Sequence, residues 1–389
     1  MRIGLVTETF PPDTNGVAMT LERLVGYLTA RLHHVDLIVP SAPSPARHDP
    51  VSALTLRGMS VPGYPEVRFG PPAVGRLVAH WRQWRPDVLY VATQGPLGWA
   101  AVRAGGRLGI PVISGYHTHF AAYGRHYGLS LAAPLVEGYL RRFHQRTALT
   151  LAPTRELAAT LQEAGFGTVD VLARGVDTAL FNPQRRNSGL RSQWGIFPRT
   201  PVALYVGRLA AEKNLELAVR SFRAIQRSQP QAHFVLVGDG PMRTSLQATN
   251  PDFVFTGNLS SQTLAAHYAS ADLFLFPSLT DTFGNVVMEA MASGLPVVAF
   301  RTGAAAEHIR SFTSGVTAPF GDANRFVALS ILIANEPRLR HRLGDLARCA
   351  VAPYGWEQVG ERLESLLMAH AAPKDNGKPR TAQRLAAAG

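Results

Sequence analysis

Residues 273–300, LFLFPSLTDTFGNVVMEAMASGLPVVAF, hold a strand, a loop, a helix and a second strand in one stretch. The apolar run LFLF ends at Pro277. A helix is predicted from about Asn285 to Ser293, and Gly294 stands just past its end, where a left-handed backbone is wanted. PVVAF then reads as the next strand. Strands that are apolar throughout, rather than alternating, belong to sheets covered on both faces, so this stretch predicts a parallel α/β layer.

The same reading extends along the chain. RIGLVTE (2–8), VDLIVP (35–40), DVLYVAT (87–93) and PVISGYH (111–117) precede a second set, PVALYVG (201–207), HFVLVGD (233–239), LFLFPS and PVVAF. Between them lie helical stripes such as Leu21, Leu24, Val25 and Leu28, or Leu215, Ala218, Val219 and Phe222, spaced as core-facing positions. A chain of 389 residues exceeds the size at which one core stops growing, so two Rossmann-like domains are expected, over 1–180 and 190–352. The break is placed at 175–200, which carries prolines, clustered arginines and little periodicity. Residues 372–389 read as a disordered basic tail. Ligands of doubly wound sheets bind beyond the carboxyl ends of the strands, so two such domains facing each other would line a cleft with loops from both.

The formal charge is +12, and half of the excess falls in residues 1–175. That balance attracts polyanions: nucleic acid, an anionic membrane face or phosphorylated small molecules. Arginines spread over solvated faces account for it equally. No recognised nucleic-acid module accompanies the charge, so no nucleic-acid partner is expected. The single cysteine, Cys349, has no partner for a disulfide. The first residues read as a strand rather than a leader, and no apolar run is long enough to span a membrane, so a cytoplasmic location is expected.

Polar residues just after the strands are the candidates for chemistry. Around Phe283, Gly284 and Asn285 a helix start offers free backbone N–H groups, suited to a phosphate or sugar oxygen. Asp281 lies ahead of it. Glu289, one turn inside and flanked by apolar residues, needs a partner, and ribose hydroxyls would serve; an arginine would also serve, with Asp281 as a simple helix cap. GRLAAEKN (207–214) puts Arg208 and Lys213 after a strand, where two cations could neutralise a departing diphosphate. GYHTHF (115–120) puts His117 and His119 after another, and TETFPPDTNGVA (7–18) brings Gly16 to a helix start, where backbone can approach a ligand closely. Two histidines alone do not make a metal site, and neither metal nor cofactor is expected. GDGP (238–241) is half of a dinucleotide fingerprint.

In this order, TETFPPDTNGVA, GYHTHF, ARGVD (173–177), VGRLAAEKN, VGDGP, FTGNL (255–259) and DTFGNVVMEAMASG, the chain resembles the retaining, nucleotide-sugar-dependent glycosyltransferases of the two-Rossmann GT-B fold. That group includes bacterial mannosyl-, glucosyl- and sulfoquinovosyltransferases acting on lipids. The resemblance covers nearly residues 1–370. It implies a donor site mainly in the C-terminal domain: Arg208 and Lys213 on the diphosphate, Glu289 on the ribose, and Asp281 with the backbone of Phe283, Gly284, Asn285 and Val286 around the sugar. The base would lie near Gly238, Asn258 and Leu259, and Gly16 would approach the phosphates. His117 matches the position that touches the donor sugar near the reacting centre. His119, Tyr123 and Arg125 would face the acceptor, and a last helix, about 356–370, would cross back onto the first domain.

Two departures stand out. Asp281 occupies a position where a glutamate is more usual, and Ala304 follows Gly303 where a second glycine is common. The implied reaction moves a hexose from GDP-mannose or a UDP-hexose to an acceptor hydroxyl with retention of configuration, the departing phosphate taking the acceptor's proton. The basic, aromatic stretch 119–146 suits an anionic membrane face and a lipid acceptor, or is a plain domain face. A nucleotide-sugar epimerase of the same two-Rossmann design is the alternative reading. The oligomeric state is not legible.

Overall fold

The computed structural model describes residues 1–13, 15–40, 51–61, 64–117, 133–196, 200–281 and 283–372. In the first half lie β1 (Arg2–Val6), β2 (His34–Val39), β3 (Val51–Thr55), β4 (Met59–Val61), β5 (Tyr64–Phe69), β6 (Val88–Val91), β7 (Val112–Gly115), β8 (Leu149–Ala152) and β9 (Val169–Val171). In the second lie β10 (Val202–Val206), β11 (His233–Val237), β12 (Val254–Gly257), β13 (Leu273–Phe276), β14 (Val297–Phe300) and β15 (Val316–Ala318). They form a seven-stranded sheet, β3-β2-β1-β6-β7-β8-β9, and a six-stranded sheet, β12-β11-β10-β13-β14-β15, both parallel throughout. β4 and β5 pair separately as an antiparallel ribbon. This is the α/β architecture of two doubly wound sheets.

The strand order fixes where chemistry can sit. In each sheet the order reverses beside the first strand, between β1 and β6 and between β10 and β13. At such a reversal the flanking loops run to opposite faces and leave a crevice at the strands' carboxyl ends. The loops after β1 and β6 therefore face each other, as do those after β10 and β13. β10, β13 and β14 are buried at every residue, as expected where helices cover both faces.

The residues between the sheets are packed rather than loose. Phe181, Trp194 and Ile196 join the second core, and helix Ser188–Gln193 brings Arg191 onto Asp272 at 3.0 Å, with Arg186 on the same carboxylate at 2.8 Å. Helix Trp356–His370 returns to the first half. Its Val359, Leu363, Leu366 and Leu367 share a core with Leu21, Leu24, Val25 and Leu28 of helix Gly16–Ala30. Glu364 clamps that contact, 2.7 Å from His33 Nε2, and also accepts from the Tyr27 hydroxyl at 3.2 Å. Gly360 lies against the Tyr27 ring so closely that a methyl group would overlap it. Gly360→Ala should cost about 1–3 kcal/mol through overpacking, read as a lowered urea midpoint; an unchanged midpoint would show that Tyr27 can swing away.

Candidate active site

The switch point of the second sheet joins two of the residues singled out by sequence. Lys213, at the end of the 3-10 turn Ala211–Lys213 after β10, places Nζ 2.7 Å from Asp281 Oδ1 in the loop after β13. Neither side chain is more than about a fifth exposed (13% and 21%). Asp281 is thus an ion-pair partner and not the cap of the following helix, whose Ncap is Gly284 in a left-handed conformation (φ 88°) with no side-chain cap bond. The second oxygen of Asp281 is buried without a hydrogen-bond partner among the described residues. A buried carboxylate oxygen left in this state is a strong acceptor for an incoming hydroxyl. Arg208 is about half exposed at the same crevice, with Glu212 at 3.8 Å.

Glu289 lies one turn inside helix Asn285–Ala292, and its Oε2 accepts from the Tyr268 hydroxyl at 2.9 Å. The partner is a neutral hydroxyl rather than an arginine. Burial pushes its carboxyl up from the ordinary 4.5 to about 7, against the lowering effect of the Tyr268 bond. Between those values the folded state holds a proton that the unfolded chain has released. This site therefore destabilises the ligand-free fold as pH rises from about 4.5 to 7.

The rest of the C-terminal candidates also follow strands of the second sheet. Phe283 is buried, and its carbonyl accepts from Ala304 N at 2.6 Å. Gly303 is required there because a Cβ would strike that same carbonyl; Ala304, fully buried, fits without a second glycine. Val286 packs on the core. Gly238 N donates to the Gly257 carbonyl at 2.9 Å, tying the VGDGP turn to the FTGNL turn, in which Asn258 is exposed and Leu259 packs inward.

The N-terminal half brings its own residues to the same place. Asn15 caps helix Gly16–Ala30, accepting from Val17 N and Ala18 N. A side chain at Gly16 would begin 3.4 Å from Asn285 Nδ2, so the first turns of these two helices meet across the halves. His117, after β7, has Nε2 3.0 Å from the Tyr90 hydroxyl and Nδ1 3.4 Å from Arg174 Nη2. Burial, and then the Arg174 charge, lower it from 6.5 to about 3, so the ring is neutral. His119, Tyr123 and Arg125 fall outside the described residues.

Three groups here were not singled out by sequence reading. Arg174 lay in the quoted ARGVD run, and Tyr90 in DVLYVAT. Glu8, in TETF, sits at the switch point of the first sheet. Its Oε1 accepts from Leu97 N at 3.0 Å, and Gly95 leaves the room its carboxylate fills. Burial raises Glu8 to about 7, with its backbone hydrogen bonds opposing.

Comparison with known proteins follows the same division. A family model described as Glycosyltransferase Family 4 matches residues 14–180, and one described as Glycosyl transferases group 1 matches residues 200–335. The chain is 33% identical over 369 residues to a GDP-mannose-dependent alpha-mannosyltransferase of Mycolicibacterium smegmatis, covering 93% of this chain and 96% of that one. It is 28% identical to a sulfoquinovosyl transferase of Arabidopsis thaliana, covering 94% and 72%. Among solved structures, sucrose-phosphate synthase from Thermosynechococcus elongatus superposes with a TM-score of 0.77 at 21% identity, covering 95% and 98%. Anabaena HepE in complex with UDP and glucose gives 0.73 at 19%, covering 95% and 100%.

Proposed function

The chain belongs to the group 1 and family 4 glycosyltransferases, and from that premise we infer that it transfers a hexose, mannose from GDP-mannose, to a hydroxyl of a lipid or glycolipid with retention of configuration. The observation that carries the reading is the Lys213–Asp281 pair beside the start of helix Asn285–Ala292, with Gly16 opposite. Arg208, Lys213 and backbone N–H groups supply fixed positive charge where a nucleoside diphosphate would leave, the kind of preorganised stabilisation that lowers a barrier most. The Asp281 oxygen that has no partner among the described residues suits a hexose hydroxyl, and the Glu289 carboxylate suits the ribose. His117, neutral, adds no charge repulsion where an oxocarbenium-like carbon would form. No protein nucleophile and no metal enter this scheme: the acceptor hydroxyl attacks on the face the diphosphate leaves, the departing phosphate takes its proton, and Arg208 and Lys213 neutralise the diphosphate.

The choice of donor follows the mannosyltransferase relative, whose name specifies GDP-mannose. A relative named alpha-monoglucosyldiacylglycerol synthase, from Streptococcus pneumoniae, supports a lipid acceptor; it is 26% identical over 313 residues. Helix Ala133–His144 supports a membrane-side acceptor too: Leu135 and Tyr139 are exposed on the face that continues to Arg142. That pattern suits an anionic interface. Among the described residues no helix is long and apolar enough to cross a membrane.

The test is thermal-shift binding of GDP, UDP, ADP and their sugars, followed by transfer to diacylglycerol and phosphatidylinositol acceptors with and without EDTA. Stabilisation by GDP above the others, and EDTA-insensitive transfer with the α-anomer formed, is the expected result. Stabilisation by UDP alone would overturn the donor, and interconversion of the free nucleotide-sugar without transfer would replace the reaction by an epimerase.

A further inference from the structure

Arg174 is 5% exposed, and among the described residues no carboxylate pairs with it. Isolated buried charge is costly, so a guanidinium kept there is kept for what it holds. Nη1 donates to the Gly16 carbonyl at 2.9 Å and to Thr20 Oγ1 at 2.8 Å, while Nη2 reaches His117 Nδ1 at 3.4 Å. One side chain therefore ties the first turn of helix Gly16–Ala30 to the histidine after β7. A guanidinium has donors only, so Nδ1 must accept. The remaining ring proton then lies on Nε2, which donates to the Tyr90 hydroxyl at 3.0 Å. We propose that Arg174 is a positioning residue for the transfer reaction, fixing His117 in its Nε2–H tautomer and holding it in register with the turn at Gly16.

The consequence is chemical selectivity. In this tautomer Nε2 can only donate, so it recognises an oxygen lone pair: the Tyr90 hydroxyl here, a sugar oxygen when one displaces it. The opposite tautomer would present a lone pair at Nε2, which could accept from a hydroxyl but would repel an oxygen that carries no proton. Among the described residues, the titratable and charged groups facing the ring are Tyr90 from β6, Arg174 from the turn after β9, and His144 from helix Ala133–His144. None is a carboxylate that would draw a second proton onto the ring. The effect on turnover rests on the glycosyltransferase reading; the tautomer does not.

The experiment is long-range 15N–1H correlation on ligand-free protein labelled with 15N-histidine, His117 being assigned by His117→Gln. Wild type should keep Nδ1 unprotonated and Nε2 protonated from pH 5 to 8, the range over which an ordinary histidine changes charge. Arg174→Gln should mix the tautomers or titrate in that range, and its kcat should fall about a hundredfold, the scale of a small misplacement at a reacting centre, with KM for the nucleotide-sugar little changed. Arg174→Lys should recover part of both, and Tyr90→Phe should leave the tautomer as it is. The proposal is overturned if wild type carries the proton on Nδ1, if Arg174→Gln keeps one non-titrating Nε2–H form, or if Tyr90→Phe reverses the tautomer. Wild type and Tyr90→Phe decide the matter even where Arg174→Gln does not fold. An inactive protein with the expected tautomers would sink the transferase reading alone.

Discussion

Lys213→Ala should lower turnover about a hundred- to a thousandfold, the loss seen when one preorganised charge or donor is taken from a developing oxyanion. Lys213 is also held at 2.7 Å by Asp281. Removing one member of a partly buried pair strands the other, so the single variant should also melt earlier. The double variant Lys213→Ala/Asp281→Asn removes the effect on stability, since the amide needs no counter-charge. Recovery of the melting temperature without recovery of kcat is expected. If the double variant also turns over normally, Lys213 serves only to neutralise Asp281, and its assignment to the leaving diphosphate is wrong.

Glu289→Ala should weaken nucleotide binding about a hundredfold, since hydrogen bonds to a charged group contribute about 1.5–3 kcal/mol each. The carboxyl stands near 7 in the empty site, and ribose hydroxyls prefer the ionised form. Affinity should therefore rise as pH passes upward through 7, and binding below that point should release a proton. Calorimetry in two buffers of different ionisation enthalpy reads the release. Glu289→Gln should abolish it, which distinguishes this group from Glu8, the other carboxyl raised to about 7. Persistent proton release in Glu289→Gln would remove the ribose assignment.

The central strands were legible because burial on both faces leaves a continuous apolar run: β1, β2, β6, β7, β10, β11, β13 and β14 all carry that mark. The edges were not. β3, β9, β12 and β15 close the two sheets, and an edge is shielded on fewer sides, so its sequence is short and mixed; β9 is only VDV, with two of three residues partly exposed. β8 was missed although interior, because Thr150 interrupts its run and is satisfied inside the core by His144 and Ser114.

At the site, residues next to a strand end could be named, but not the pairs they make. Lys213 and Asp281 are 68 positions apart and meet only because β10 and β13 are neighbours across the reversal of strand order. Arg174 and His117 meet for a related reason, each following a strand of the same sheet. Nothing local to ARGVD distinguishes a buried arginine from a solvated one.

The helix Trp356–His370 has a bearing on biosynthesis. The first core contains Leu21 and Leu24 together with Leu363 and Leu367, so the half of the molecule that emerges first from the ribosome is sealed by nearly the last residues described. During translation the apolar flank of helix Gly16–Ala30 stays uncovered while the whole second sheet is made. The buried residues of the second core, 176–351, are all made before that helix. Completion of the first core therefore waits on the last helix, and a nascent chain stalled before Trp356 carries all the buried residues of the second core joined to an unsealed first one.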